Sequence, residues 1–510
     1  MFRRKDREQQ PSLWIATGDL PTTPAGAFYQ RLDRAFAKLG FGDDVRALCG
    51  PFYESDVRLG GQPGIDPEVY FKMQMVGFFE GLSSERAIAA RCSDSLSIRA
   101  FLHYDLHEAT PDHSSLTRIR QRLPMEVYEQ VFDLILVALK KNKLLKGKRL
   151  SIDASILEAN ASLRSLEHRL SGEAYRAYVK RLAEAAGVDV TDAAAAGRFD
   201  KKRAGRKTSN DEWYNPHDPD AKVGRTKRGA TRMVYKPEHV VDLDTGAIVG
   251  VDVRPGDEHD TADLTKRILA VEERVNTALG DAPTTARVKV LVADKGYYKV
   301  EELTQLRELN IQTVISDPIG NRRLDKLDKT RRAAVRAAER SVGSKTGKTL
   351  LRRRGERVER PFNHVLDAGG ARRTTLRGRQ NIRKRYLIQT ACANVSLLMR
   401  TLTGLGTPKQ ALAASRALIA ALKPLLRPCV NIVCRILAHL VPIRPIGSDS
   451  SMFAAAGNTS PPRTCYDAPS SAATTYFNSL LGGAGRTIRS GRFRSVPQNS
   501  FAAGSRRKQR

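Results

Sequence analysis

The chain has 510 residues, enough for roughly three domains of ordinary size. Hydrophobic residues make up 41% and charged residues 28%, ordinary globular usage that excludes wholesale disorder. Lys and Arg number 86 against 55 Asp and Glu, a net charge of +31. A chain this basic calls for an acidic partner, and nucleic acid is the commonest.

The six Cys are too sparse for a disulfide scaffold, and no CxxC pair suggests a zinc site. Cys429, Cys434 and His439 stand five apart and are read as packing residues. MFRRKDREQQPSLW at the N-terminus has basic residues with no apolar stretch behind them, unlike a secretory signal. The apolar region near 411–443 is broken by Lys423, Pro424, Arg427, Pro428 and Arg435, short of the about 18 apolar residues a membrane span needs. A soluble, cytoplasmic, nucleoid-associated protein with no membrane contact is expected.

Residues 1 to about 145 read as an all-α domain. PEVYFKMQMVGFFEGLS (67–83) has helical periodicity, and Ser83-Ser84-Glu85-Arg86 opens the next helix. SSERAIAARC, SDSLSIRAFLHYD and TPDHSSLTRIRQRL form three short helices with polar breaks. The last carries Arg118, Arg120 and Arg122, which fits a helix-turn-helix-like DNA-binding module.

At about 146 the period changes. RLSIDASI (149–156) alternates, with Ser151, Asp153 and Ser155 on its polar face, and predicts a half-buried strand. A basic insertion follows at about 162–230, partly helical and partly loop, with KKRAGRK (201–207) and WYNPHDPDAK (213–222). MVYKPEHVVDLDTGAIVGVDVRPG (233–256) is a β-hairpin turning at Asp244-Thr245-Gly246. Helix at 261–279, strand at VKVLVAD (288–294), helix at 300–309 and strand at IQTVIS (311–316) complete a mixed α/β sheet. The most basic window, 321–360, holds 15 Lys/Arg against 5 Asp/Glu. Helices are expected at about 354–367 and 380–402, and a disordered basic tail at 445–510.

Two carboxylates stand out. Asp153 lies on the polar face of its strand, and Asp294 ends the most apolar strand, just before Lys295-Gly296-Tyr297. Open α/β sheets bind ligands at such strand ends. Asp153 and Asp294 on neighbouring strands would repel unless a divalent cation lay between them, and hard oxygen ligands select Mg²⁺, with Mn²⁺ as substitute. A third carboxylate within RGERVERPF (354–362) would complete a two-metal site amid the densest basic charge. Tyr297 and Tyr298 are read as packing against the sheet.

These segments resemble bacterial insertion-sequence transposases of the DDE type. The resemblance covers about 60–402. It is carried by SIDASILEANAS (151–162), YKPEHVVDLDTGAIVGVDV (235–253) with DEHDT (257–261), VLVADKGYY (290–298), and ERPFNHVLDAGGARRTTLRGRQNIRKRYLIQTACANVSLLMR (359–400). It implies an RNase H-like catalytic domain over 146–402, a helical DNA-binding domain over 1–145, and a helical extension then tail over 403–510. It implies Asp153, Asp294 and Glu359 as catalytic and metal-binding residues, with two Mg²⁺ ions. Lys295, Arg352, Arg353, Arg354, Arg372, Arg373 and Arg377 would contact DNA. Water would cut the transposon end, and the freed 3′-hydroxyl would attack target DNA, in a homo-oligomer that pairs two ends. Arg352 and Gly355 stand where the family often has Tyr and Arg. Pro361 stands where a small hydroxyl residue is more frequent, so either the helix starts near Glu359 or its geometry is disturbed, and Glu356 is the alternative third ligand. A catalytically inactive or repurposed DNA-binding derivative is the competing reading. A nuclease or resolvase on the same sheet is a third.

Overall fold

The computed structural model describes residues 23–53, 64–189, 193–226, 229–320, 324–422 and 424. The tail expected to be disordered and the packing roles given to Cys429, Cys434 and His439 lie outside them. Described residues through Arg416 belong to one compact unit. A second unit begins at Ala417, where the described stretch 417–422 is helical.

Seven helices come first: α1 (Pro24–Leu39), α2 (Phe41–Cys49), α3 (Pro67–Glu80), α4 (Glu85–Asp94), α5 (Leu96–Phe101), α6 (His113–Arg122) and α7 (Met125–Lys141). Their starts follow local chemistry. Thr23, Asp66, Ser84, Ser95 and Asp112 each accept a backbone N–H of the first turn. α3 is buried on nearly every side, so it is a core helix rather than an amphipathic one. The three-short-helix pattern holds as α4, α5 and α6. Thr117 and Arg120 of α6 both bond Glu85, which pins α6 to α4.

The sheet begins with β1 (Arg149–Ala154) and β2 (Leu157–Glu158). The insertion supplies β3 (Glu167–His168), α8 (Tyr175–Ala185), α9 (Ala193–Lys202), α10 (Ser209–Glu212), β4 (Trp213–Tyr214) and β5 (Lys222–Arg225). Trp213 meets Tyr175, Tyr178 and His168 edge-on there, a small aromatic core. Next come β6 (Thr231–Asp242), β7 (Ile248–Pro255), α11 (Leu264–Leu279), β8 (Val290–Ala293), α12 (Val300–Glu308) and β9 (Gln312–Val314). The chain closes with α13 (Lys329–Gly343), α14 (Lys345–Phe362), a π-helical turn Asn363–Ala368, and α15 (Arg379–Thr403).

The main sheet is mixed. β7 pairs antiparallel with β6 and β6 antiparallel with β1, whereas β8 and β9 run parallel to β1, giving the spatial order β7-β6-β1-β8-β9. β2 and β5 pair on β6. The hairpin falls where its alternation placed it, and Gly246, at φ +85, supplies the turn's left-handed residue.

β1 is the central strand, covered on both faces, not the half-buried strand its alternation suggests. Ser151 is fully buried, and its hydroxyl donates to Val292 O at 2.8 Å. A hydrogen bond to the neighbouring strand satisfies it instead of water.

The last basic helix starts at Lys345, not near Glu359. Pro361 sits in its final turn, and the π-helical turn follows at once. Proline lacks the amide that would bond the carbonyl of Arg357. The disturbed geometry is therefore the alternative that holds. α15 packs on α3, α7 and β7, so helices and sheet share one apolar core.

Candidate active site

β1 and β8 run parallel with Ile152 opposite Ala293. Asp153, still in β1, and Asp294, just past the end of β8, each follow that pair, so the two residues take neighbouring positions at the C-terminal end of the two strands. Asp294 is exposed and caps the 3₁₀ turn Lys295–Tyr297, its Oδ1 accepting from Gly296 N at 3.4 Å. Asp153 is partly exposed, and Arg354 Nη2 of α14 lies 2.9 Å from its Oδ2.

A buried polar network backs this end of the sheet. Glu238 of β6 pairs across from Ala154, one residue past Asp153. It is 3% exposed and meets Arg267 of α11, with Arg254 of β7 at 3.7 Å. Tyr297 donates its hydroxyl to Glu238 Oε2 at 3.1 Å. Arg254 in turn reaches Glu258 at 3.2 Å and Asp260 at 3.3 Å, and Lys236 lies 2.7 Å from Asp260. Burial pushes the Glu238 carboxyl above its ordinary pKa, against the pull of Arg267 and Arg254. Burial also raises the Tyr297 hydroxyl well above its usual value, helped by the carboxylates of Glu238, Asp260 and Asp153. Both tyrosines of the turn are buried, so they pack rather than present a stacking face. The network joins the loop after Asp294 to the strand beside Asp153.

α14 turns an otherwise apolar stripe to the sheet: Gly347, Leu350, Val358 and Phe362 are buried. Arg354 occupies the helical position between Leu350 and Val358, which brings it to Asp153. Phe362 stacks on His239 at 4.0 Å, and His239 is the register partner of Asp153 on β6. Burial drives the His239 pKa down to about 3, and its Nε2 bonds the Tyr386 hydroxyl at 2.8 Å. Glu359 is exposed. Lying five residues beyond Arg354, it points about 140° away from it at 3.6 residues per turn. Glu356 is exposed too, about 160° away. The fold brings Asp153 and Asp294 together and holds both glutamates on the outer side of α14. Among the described residues, no group of three or more His, Cys, Asp or Glu is placed to hold a metal ion.

The cations singled out in the sequence divide by environment. Lys295, Arg352, Arg373 and Arg377 are exposed. Arg372 is half-buried in a bidentate pair with Asp367, at 2.9 and 2.8 Å. Arg353 lies 3.6 Å from Asp244. Arg118 and Arg122 are exposed, Arg122 over the ring of Tyr53. Arg120 differs: it is 7% exposed and spent on Glu85, so it faces the core rather than a ligand.

Residues 22–122 match the family described as Transposase domain (DUF772), and residues 188–395 match the Transposase DDE domain. The chain belongs to the DDE-type transposases. The DDE match includes Asp294 and Glu359 and begins after Asp153. No curated protein matches this transposase. One solved structure, "Crystal structure of a pre-cleavage Mos1 transpososome", aligns over 69% of this chain and 98% of that chain at 11% identity, with a TM-score of 0.17. Among the described residues, no helix is long and apolar enough to cross a membrane.

Sequence reasoning missed Glu238, Arg254, Asp260 and Arg267. A signal was there: Glu238 and Arg254 are charges inside otherwise apolar hairpin strands, where an ionised group needs a partner.

Proposed function

We propose that this transposase binds transposon ends and catalyses divalent-metal-dependent cleavage and strand transfer of DNA. The observation that carries the reading is that Asp153 and Asp294 each follow the last register pair of β1 and β8, Ile152 and Ala293, at the C-terminal end of the two strands. The strand order β7-β6-β1-β8-β9 supports an RNase H-like catalytic domain at about 146–402, behind a helical end-binding domain at 1–145 and before the extension at 403–510. Two neighbouring carboxylates suit a hard cation, Mg²⁺ or Mn²⁺. When bound, the ions of a two-metal site activate the attacking oxygen and stabilise the leaving one.

The chain's own residues do the rest. Asp153 and Asp294 would hold the metal. Glu359 is the proposed third ligand, and Glu356 its alternative. Each lies on the outer side of α14, so a third carboxylate joins only when Arg354 releases Asp153 and the helix moves. Tyr297 and Glu238 hold the Asp294 turn against β6. Lys295, Arg352 and Arg354 would carry phosphates near the carboxylates, and Arg353, beside Asp244, would carry them towards the β6–β7 turn. Arg372, Arg373 and Arg377 would carry them on the loop before α15, and Arg118 and Arg122 on α6, with Arg120 as their buried anchor. Acting on two ends at once, the protein works as a homo-oligomer, and DNA is its partner.

The second reading is a DNA-binding derivative without chemistry. The Arg354–Asp153 contact and the outward Glu359 favour it. Labelled DNA carrying the sequences that flank the gene decides between them. Nicked and joined products in Mg²⁺ but not in EDTA, lost in Asp294→Ala, are the expected result. Shifted but uncut DNA, identical with the variant, establishes the second reading instead.

A further inference from the structure

A second cationic site lies at the opposite end of the sheet. A cleft of about 200 Å³ opens beside the β6–β7 turn, between α14 and α15. Three arginines line it: Arg357 and Arg360 of α14 and Arg400 of α15. No carboxylate lines it, and among the described residues none of the three arginines has an ion-pair partner. By contrast, Arg120, Arg203, Arg254, Arg267, Arg274, Arg354, Arg372 and Arg383 have carboxylate partners.

The side-chain amides of the cleft have spent their acceptors. Arg357 Nη1 donates to Thr245 O at 3.0 Å. Asn394 Oδ1 accepts from Ile248 N at 2.9 Å, and its amide donates back to Ile248 O at 2.8 Å. Gln410 Oε1 accepts from Gly406 N at 2.9 Å. Beside the His364 ring, the cleft presents donors: two exposed guanidinium forks, the free edge of a third, and the Gln410 amide. A planar guanidinium suits the oxygens of a phosphate bidentately. The positive field is felt within the cleft, where burial and then Arg400 hold half-buried His364 down at about 4.

The cleft is not the scissile site. β1 runs from Arg149, whose carbonyl accepts from Leu243 N at the turn end, to Asp153 beside His239. Four steps along a strand are about 13 Å, so Asp153 lies at least that far from the turn.

We propose that Arg357, Arg360 and Arg400 form a second phosphate-binding site, separate from the Asp153–Asp294 end of the sheet. Its ligand is a phosphate group, either a phosphodiester of bound DNA or a free phosphate anion. The DNA source rests on the transposase reading, whereas the site itself does not. The test uses the full chain and the double variant Arg360→Gln/Arg400→Gln. Both residues are exposed, so folding is preserved, with the circular-dichroism spectrum as the check. Arg357 is left alone because it holds Thr245 O.

In the first arm, affinity for a labelled duplex is followed across a salt series. Each lost phosphate contact lowers the slope of log affinity against log salt by about 0.9. A slope shallower by about 2 in the variant is expected, with affinity weakened alike on every sequence. In the second arm, inorganic phosphate is added at constant ionic strength and the melting temperature is read. A phosphate-dependent rise in wild type that the variant lacks supports the site even if wild type binds no DNA, a result that would sink the DNA reading alone. If the rise is present and the DNA slopes are equal, the ligand is the free anion. Equal slopes together with equal phosphate responses overturn the site.

Discussion

Two buried residues set different vulnerabilities. Arg120 and Glu85 are both under 10% exposed and face each other between α6 and α4. Removing one partner strands the other's charge in the core, which costs about 3–5 kcal/mol. Arg120→Met should therefore lower the urea midpoint sharply, whereas Arg118→Met, at an exposed position, should not. His239 acts through pH. Its pKa is about 3 in the folded protein against about 6.5 unfolded. The unfolded chain thus binds the extra proton between those values, and stability falls as pH drops through that window, by up to about 1.4 kcal/mol per pH unit. Asp133, raised to about 6 mainly by burial, has the opposite sign between about 4 and 6 and offsets part of the fall. The double variant His239→Phe/Tyr386→Phe leaves no hydroxyl without its partner. Its urea midpoint should lose less between pH 7 and pH 5 than the wild type's. An equal loss in both would show that His239 does not carry the effect.

At the level of elements, the loop between the π-helical turn and α15 depends on two glycines. A Cβ on Gly369 would stand 2.7 Å from the Phe78 ring. One on Gly370, at φ +73, would stand 2.8 Å from Gly81 O. That close approach seats the loop on the end of α3. Gly370→Ala combines a strained φ with a backbone clash and should cost about 1–3 kcal/mol, read as a lower unfolding midpoint. The Gly369-Gly370 spacing was visible in the sequence, but the partner it approaches, nearly 300 residues earlier, was not. The same divide runs through the site. Period-two alternation and an apolar run placed β1, the hairpin and β8, and with them Asp153 and Asp294. That β1 lies at the centre of the sheet was hidden, because Ser151 looks solvated until Val292 O is seen beside it. The rotation of α14 was hidden too. Arg354 takes a stripe position that a hydrophobic pattern would give to Leu, and this turns Glu359 outward. Charges inside strands marked Glu238 and Arg254 as needing partners, but their partners come from other elements.

The whole molecule carries +31, and that charge repels itself in the folded state more than in the expanded chain. The Debye length shortens from about 30 Å at 0.01 M salt to about 8 Å at 0.15 M. The melting temperature should rise over that range, since screening relieves long-range repulsion more than it weakens the short ion pairs. A fall would mean that pairs such as Arg254–Glu258 outweigh the net charge. On the proposed function, duplex DNA should bind the folded state and raise it further at low salt.

The packing of α15 also sets a timetable for the newborn chain. Lys384 Nζ donates to Arg120 O and Leu123 O, and Tyr386 lies among the core residues between helices and sheet. Lys384 follows Arg120 by 264 residues. At the usual pace of ribosomal elongation, about 5–20 residues per second, the end of α6 emerges roughly 10–50 s before its partner. Through that interval the apolar sides of α3 and α7 that receive α15 stand open to solvent or to a chaperone. A ribosome that stalls between these two points leaves a sticky, unfinished core, so smooth translation of the middle half is itself a condition for this protein to fold.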